Sequence, residues 1–222
     1  MMRFSTRRLA VCVLLAVLVF TLSGCWNPFA PDSGKPKPIE PADYHERLAP
    51  EDVIHNLTTA YVWKNAGEYL DCLSEDFIFY PTADDVANPN NPLPPEWYKD
   101  TETLTHQAMF AQGSNVESIS LTLTETSRDY QEGIPEDPTD DIYVINMDVD
   151  LRVNVIPDIT LLATAPSQFW FRVDQDQQGE GGELWYEIYL WYDDPVRGAS
   201  RTEQNPDVEY MSLGQIKSLF WE

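Results

Sequence analysis

Histidine, cysteine and carboxylate are the side chains that could hold a metal, attack a substrate or move a proton here, and their spacing limits which of these the chain can do. His45, His55 and His106 are far apart in sequence. No His-Cys-acid set has the spacing of a metal site, so no metal ligand is expected. Asp174, Asp176 and Gly179 open a run with the outline of a calcium loop, but Gln178 and Trp185 stand where two further ligands belong, so a hairpin turn is the better account. Asp148, Asp150 and Arg152 could form an acid-base set. Their alternation with Met147, Val149 and Leu151 places them on the wet face of a strand instead. There is no glycine-rich phosphate loop, nucleophile elbow or paired-cysteine motif, and no cofactor is expected.

Cys25 carries a more specific signal. It closes Leu22-Ser23-Gly24-Cys25 behind the apolar run from Leu9 to Leu22 and the basic residues Arg3, Arg7 and Arg8. That run is shorter than the ~20 residues a spanning helix needs, and the pattern reads as a cleaved bacterial lipoprotein signal over residues 1–24. The resemblance to a lipobox implies thioether lipidation of Cys25, cleavage before it and acylation of the new amino terminus. The lipid bilayer is then a partner through Cys25, and the rest of the protein faces outside the cytoplasm in the cell envelope. Trp26 in place of an aspartate implies sorting to the outer membrane if the cell has two. Cys12 leaves with the signal, so Cys72 has no disulfide partner and is expected to be a small buried apolar residue.

With 14 Lys and Arg against 37 Asp and Glu, the net charge is -23, and loss of a signal holding three arginines and no acids makes it more negative still. Nucleic acid is excluded as a partner on that balance, whereas cations or basic proteins would be attracted.

The elements follow from periodicity. Residues 25–49 hold the lipidated cysteine and a proline-rich tether. Val53, Ile54, Leu57, Ala60 and Tyr61 recur at helical spacing from about Pro50 to Lys64, and Tyr69, Leu70 and Leu73 mark a second, short helix. Phe77 to Tyr80 is an aromatic strand, and Pro81 to Trp97 is too rich in proline for an element and reads as a flap. Asp100 is placed to cap a third helix with Leu104, Ala108, Met109 and Phe110 on its apolar side. The period then changes to two. Strands are expected around Ile119–Leu123, Ile145–Val155, Ile159–Val173 with Pro166 at a bulge or edge, and Leu184–Tyr192, followed by a short closing helix over Met211–Phe220 capped by Ser212.

The Pro50-Glu51-Asp52-Val53 helix start, Glu68-Tyr69-Leu70 followed by Leu73-Ser74-Glu75-Asp76-Phe77-Ile78-Phe79, and Trp185, Ile188, Trp191 and Asp193 in the last strand resemble the nuclear-transport-factor-2-like superfamily, including SnoaL-like cyclases, over residues 50–195. That resemblance implies a cone-shaped α+β fold: three N-terminal helices packed in a curved antiparallel sheet, with residues 196–222 a C-terminal extension carrying a short helix. Isomerases of that fold use a tyrosine and acids inside the cone, where burial shifts a carboxyl enough to exchange a proton. Tyr61, His106 and Asp193 are the catalytic candidates on this basis. None sits in a specific catalytic motif.

The surplus of tryptophan and tyrosine points to recognition, since these side chains pair an apolar body with a polar tip. Trp97 in the flap, Trp170 on the sheet and Tyr80 are the ligand-binding candidates. Three readings follow: a non-catalytic, membrane-anchored domain that binds a small apolar ligand or an envelope protein; an isomerase, cyclase or hydrolase working inside the cone; and a structural homodimer.

Overall fold

The computed structural model describes residues 42–131, 141–156, 159–178, 181–193 and 208–221. Cys25 and most of the tether, Gly179 of the calcium-like run, and the acidic turn with Pro135 and Pro138 lie outside these.

Helix α1, Pro50–Trp63, starts with proline in its first turn, where no backbone N–H is needed, and with Glu51 and Asp52 at its positive end. The Asp52 carboxylate accepts the Ala49 N–H at 3.1 Å. Val53, Leu57, Ala60 and Tyr61 are wholly buried along one stripe. The helix stops at Lys64, in the left-handed region at φ 51°, and the Lys64 ammonium donates to the Val116 carbonyl at 3.0 Å. Helix α2, Ala66–Asp71, is capped by the Asn65 side chain, which accepts the Glu68 N–H.

Strand β1, Leu73–Tyr80, runs straight out of α2, so Leu73 belongs to the strand and not to the helix. The expected flap is more ordered than its prolines suggest. It contains a one-turn helix α3, Ala83–Val86, capped by Thr82, then buries Leu93 and ends in β2, Trp97–Tyr98, paired to β1. Helix α4, Lys99–Phe110, corrects the expectation on two counts. Asp100 lies in the first turn and Tyr98 is the cap residue, and the buried stripe is Glu102, Thr105, His106, Met109 and Phe110, while Leu104 is 65% exposed. Met109 and Phe110 are buried as expected, but polar Glu102, Thr105 and His106 face the core where Leu104 does not.

The remaining strands are β3 Val116–Gln131, β4 Ile142–Val155, β5 Ile159–Gln178, β6 Leu184–Asp193 and β7 Val208–Tyr210. They complete a mixed α+β fold with a seven-stranded sheet in the order β2-β1-β6-β5-β4-β3, with β7 beside β5. The β1–β6 and β5–β7 pairs are parallel and the others antiparallel. Ile145, Met147, Val149, Leu151 and Val153 on β4 point to the core while Asp148 and Arg152 are exposed, as strict alternation requires. Pro166 falls between the stretch of β5 paired with β7 and the stretch paired with β6, an edge position where a missing N–H is tolerated.

The core lies between the helices and the inner face of the sheet, where Phe77, Phe79, Phe169, Phe171 and Trp191 are all 0% exposed. Side chains of this size each stabilise by roughly 1.5–3 kcal/mol on full burial. The last helix, α5, Leu213–Ser218, drives Leu213, Ile216 and Lys217 into that core. Ser212 caps it by accepting the Gln215 N–H at 3.0 Å and donates its own hydroxyl to Asp85 on α3 at 2.5 Å.

Candidate functional site

The stripe of α4 brings Glu102 and His106 one helical turn apart into the core, and α1, α2, β2 and α5 each add a polar group to them. Both oxygens of Glu102 are fully used. Oε1 accepts the Trp97 indole N–H at 2.8 Å and the Lys217 ammonium at 2.7 Å; Oε2 accepts the Tyr69 hydroxyl at 2.9 Å and lies 3.0 Å from Nδ1 of His106. Four donors saturate a carboxylate. Nδ1 of His106 also lies 2.9 Å from the Glu102 carbonyl; with only acceptors around it, Nδ1 carries the proton. Nε2 is therefore the acceptor for the Tyr61 hydroxyl at 2.8 Å. Tyr69 stacks on His106 with centroids 3.6 Å apart, and the Lys217 ammonium sits over the rings of Phe79 at 3.9 Å and Trp191 at 4.2 Å.

Glu102, His106, Tyr61, Tyr69 and Lys217 are all 0% exposed, and this governs their titration. Burial works against ionisation of Glu102, but Lys217 and then His106 outweigh it, and the carboxyl is held well below the ordinary range. Burial lowers His106 against the opposing pull of Glu102, keeping the imidazole neutral, and burial likewise lowers Lys217. Tyr61 and Tyr69 are pushed well up by burial and by the Glu102 charge. Neither is a ready proton donor.

Of the catalytic candidates, Tyr61 and His106 are thus brought together, with the Tyr61 hydroxyl deep in the core and not at a rim. Asp193, 3% exposed, accepts the Gly214 N–H at 3.0 Å at the start of α5 and acts electrostatically on Lys217. Trp97, a ligand-binding candidate in the flap, is 3% exposed, stacked on Phe79 and bonded to Glu102. Sequence reasoning passed over Glu102, Tyr69 and Lys217. Their signal was an acid, threonine and histidine at positions one turn apart on α4, and a lysine next to Ile216 on the apolar side of a short helix.

Tyr80 and Trp170 are on the opposite, outer face of the sheet. Tyr80 stacks on Tyr192 with centroids 4.5 Å apart, and Trp170 packs against Tyr192 and Tyr189. These four half-buried rings form one patch across β1, β6 and β5. On one side it is rimmed by the chain Trp170, Gln168, Asn146 and Ser127, linked by side-chain hydrogen bonds of 2.8–2.9 Å. On the other side Arg172 binds Asp76 and Glu187 and lies over the Tyr189 ring.

A cleft of about 220 Å³ lies elsewhere, between the segment before α1 and the end of α2, lined by Arg47, Asn56, Cys72 and Trp185 among others. Burial pushes the Cys72 thiol up to about 12, so it is unreactive there. Contrary to their sequence separation, His45 and His55 stack with centroids 4.0 Å apart.

No protein-family model and no curated protein matches the chain. Solved structures similar to it include a conserved protein from Planctomyces limnophilus (11% identity over 66% of this chain and 92% of that one, TM-score 0.46). Others are an NTF2-like protein from Cytophaga hutchinsonii (11%, 66% and 94%, TM-score 0.41) and an NTF2-like protein of unknown function in nutrient uptake from Rhodospirillum rubrum (12%, 65% and 96%, TM-score 0.42). At this level of similarity no activity passes from them to this chain.

Proposed function

We propose that this chain is a lipid-anchored protein of the cell envelope whose folded domain docks another envelope protein through the outer aromatic face of its sheet. The observation that carries the reading is the patch of Tyr80, Trp170, Tyr189 and Tyr192, with apolar bodies half exposed and a polar rim on both sides. Such an apolar centre with a hydrogen-bonding surround is the anatomy of a recognition surface. The inner polar residues do not compete for that role. Tyr61, His106 and Glu102 spend their hydrogen bonds on one another and on Lys217 inside a closed core, which supports a binding reading over a catalytic one. A small apolar ligand would likewise have to displace packed rings there.

Charge favours a foreign partner over a second copy. Two chains of net charge -23 repel as they approach, while a basic protein is steered inward. Cys25 would hold the domain at the bilayer, and the tether would set its reach.

Site-specific photo-crosslinking in the native host tests the reading. A crosslinker placed at Tyr192 is expected to capture one discrete partner, and a crosslinker at Thr122 on β3 is not. Equal labelling from both positions would remove the site; a product of twice the chain's own mass would replace the partner with a homodimer.

A further inference from the structure

We propose that Asp43, His45 and His55 form a binding site for a divalent transition-metal ion of the zinc class, where the segment leading into α1 lies against that helix. Each of the three offers a ligand atom, and these atoms lie within 4.8 Å of one another. A tetrahedral zinc site with bonds of ~2.0–2.2 Å sets its ligand atoms roughly 3.3 Å apart. Closing the difference needs side-chain rotation: Asp43, with its side chain 85% exposed, can swing inward, and the His55 ring must turn out of its parallel stack on His45 so that both in-plane lone pairs meet at the ion.

The scaffold for such a site already exists. The buried Asn56 amide clamps the backbone of His45 from both sides, accepting its N–H at 2.8 Å and donating to its carbonyl at 2.8 Å. This fixes His45 beside its stacked neighbour His55 on α1. Asp52, itself held by the Ala49 N–H, lies 3.1 Å from Nδ1 of His45. A carboxylate there accepts the Nδ1 proton and leaves the Nε2 lone pair free, the outer-shell arrangement that orients metal-binding histidines. That Nε2 lies 3.7 Å from the Asp43 carboxylate, close to the spacing of two ligand atoms on one ion. His55 donates Nε2–H to the Asp43 carbonyl at 2.9 Å; Nδ1 then holds the lone pair, and turning the ring about its Cβ–Cγ bond exchanges that hydrogen bond for a bond to the ion.

Two imidazoles and one carboxylate make a borderline donor set that suits zinc, copper or nickel and not the all-oxygen preference of calcium or magnesium. Three protein ligands leave a coordination position for water. The ion would pin the segment from Asp43 to Arg47 onto α1, where the tether meets the domain.

Titration of zinc chloride into the untagged full-length chain in detergent, followed by calorimetry and by the histidine ring-proton resonances, tests the site. One zinc per chain is expected, binding in the micromolar range and undiminished by millimolar magnesium. Two of the three histidine signals should shift while that of buried His106 stays. His45→Ala and His55→Ala should each weaken binding by about tenfold or more, and Asp52→Asn by about tenfold through loss of the orienting carboxylate. No saturable binding, wild-type affinity in both histidine variants, or movement of the His106 signal alone would overturn the proposal.

Discussion

Glu102 accepts four hydrogen bonds where water is excluded, so each donor is held by the same charge and losing any one exposes the others. Lys217→Ala leaves the Glu102 carboxylate buried without its cation, and an uncompensated charge of that kind costs about 3–5 kcal/mol; urea unfolding should show the loss. Tyr61→Phe removes only the hydroxyl that serves Nε2 of His106 and is expected to cost about 1–2 kcal/mol. The two titrating groups set the acid response. An unfolded histidine takes up a proton near its ordinary 6.5, whereas folded His106, lowered by burial, refuses it, so stability present above 6.5 drains away as the pH falls below it. Glu102 repeats this lower down: unfolded carboxyls protonate near 4.5 while the folded one stays ionised. The melting temperature should therefore fall in two stages from pH 7 towards pH 3; a flat profile to pH 4 would contradict the assignment. Tyr61 and His106 were recognisable in sequence as interior polar residues. Glu102 was not, because a glutamate in the first turn of a helix reads equally well as a favourable charge at its exposed end.

At the scale of elements, α5 buries Leu213, Gly214, Ile216 and Lys217 out of six residues. Gly214 lets it approach the flap so closely that a Cβ would stand 3.1 Å from Cβ of Pro81 and 3.2 Å from Cδ1 of Leu93. Gly214→Val is expected to cost about 1–3 kcal/mol through overpacking, read as a lowered urea midpoint with an unchanged slope. Periodicity located α1, β3 and β4 because each has one wet face, and the 3.6 and 2.0 repeats differ unmistakably over such lengths. It misjudged α4, where the exposed Leu104 outweighed a polar buried stripe, and the flap, where proline masked α3 and the pairing of Trp97 with Phe79. Nor could it place β7, a three-residue strand too short to show a period, whose position beside β5 is decided by tertiary contact.

Across the whole molecule a closed polar core holds the fold together, and the half-buried rings of the outer sheet face are the surface to which we assign binding. The strongly negative charge and the proposed lipidation of Cys25 belong to this scale: on that proposal Cys25→Ser should move the protein from the membrane fraction to the soluble one and abolish acyl labelling. The pairing of Trp170 with Tyr80 as ligand-binding candidates was open to sequence reasoning as aromatic excess; that Tyr189 and Tyr192 complete their patch depends on the β1–β6 and β5–β6 registers, which no local pattern reveals. The most direct test compares crosslinking yield from position 192 in the native host for the unaltered chain, for Tyr61→Phe inside and for Trp170→Ala outside. Trp170→Ala should lose the captured partner at an unchanged melting temperature, while Tyr61→Phe keeps it despite melting lower. Capture that survives Trp170→Ala but fails with Tyr61→Phe would contradict the account and place function in the interior.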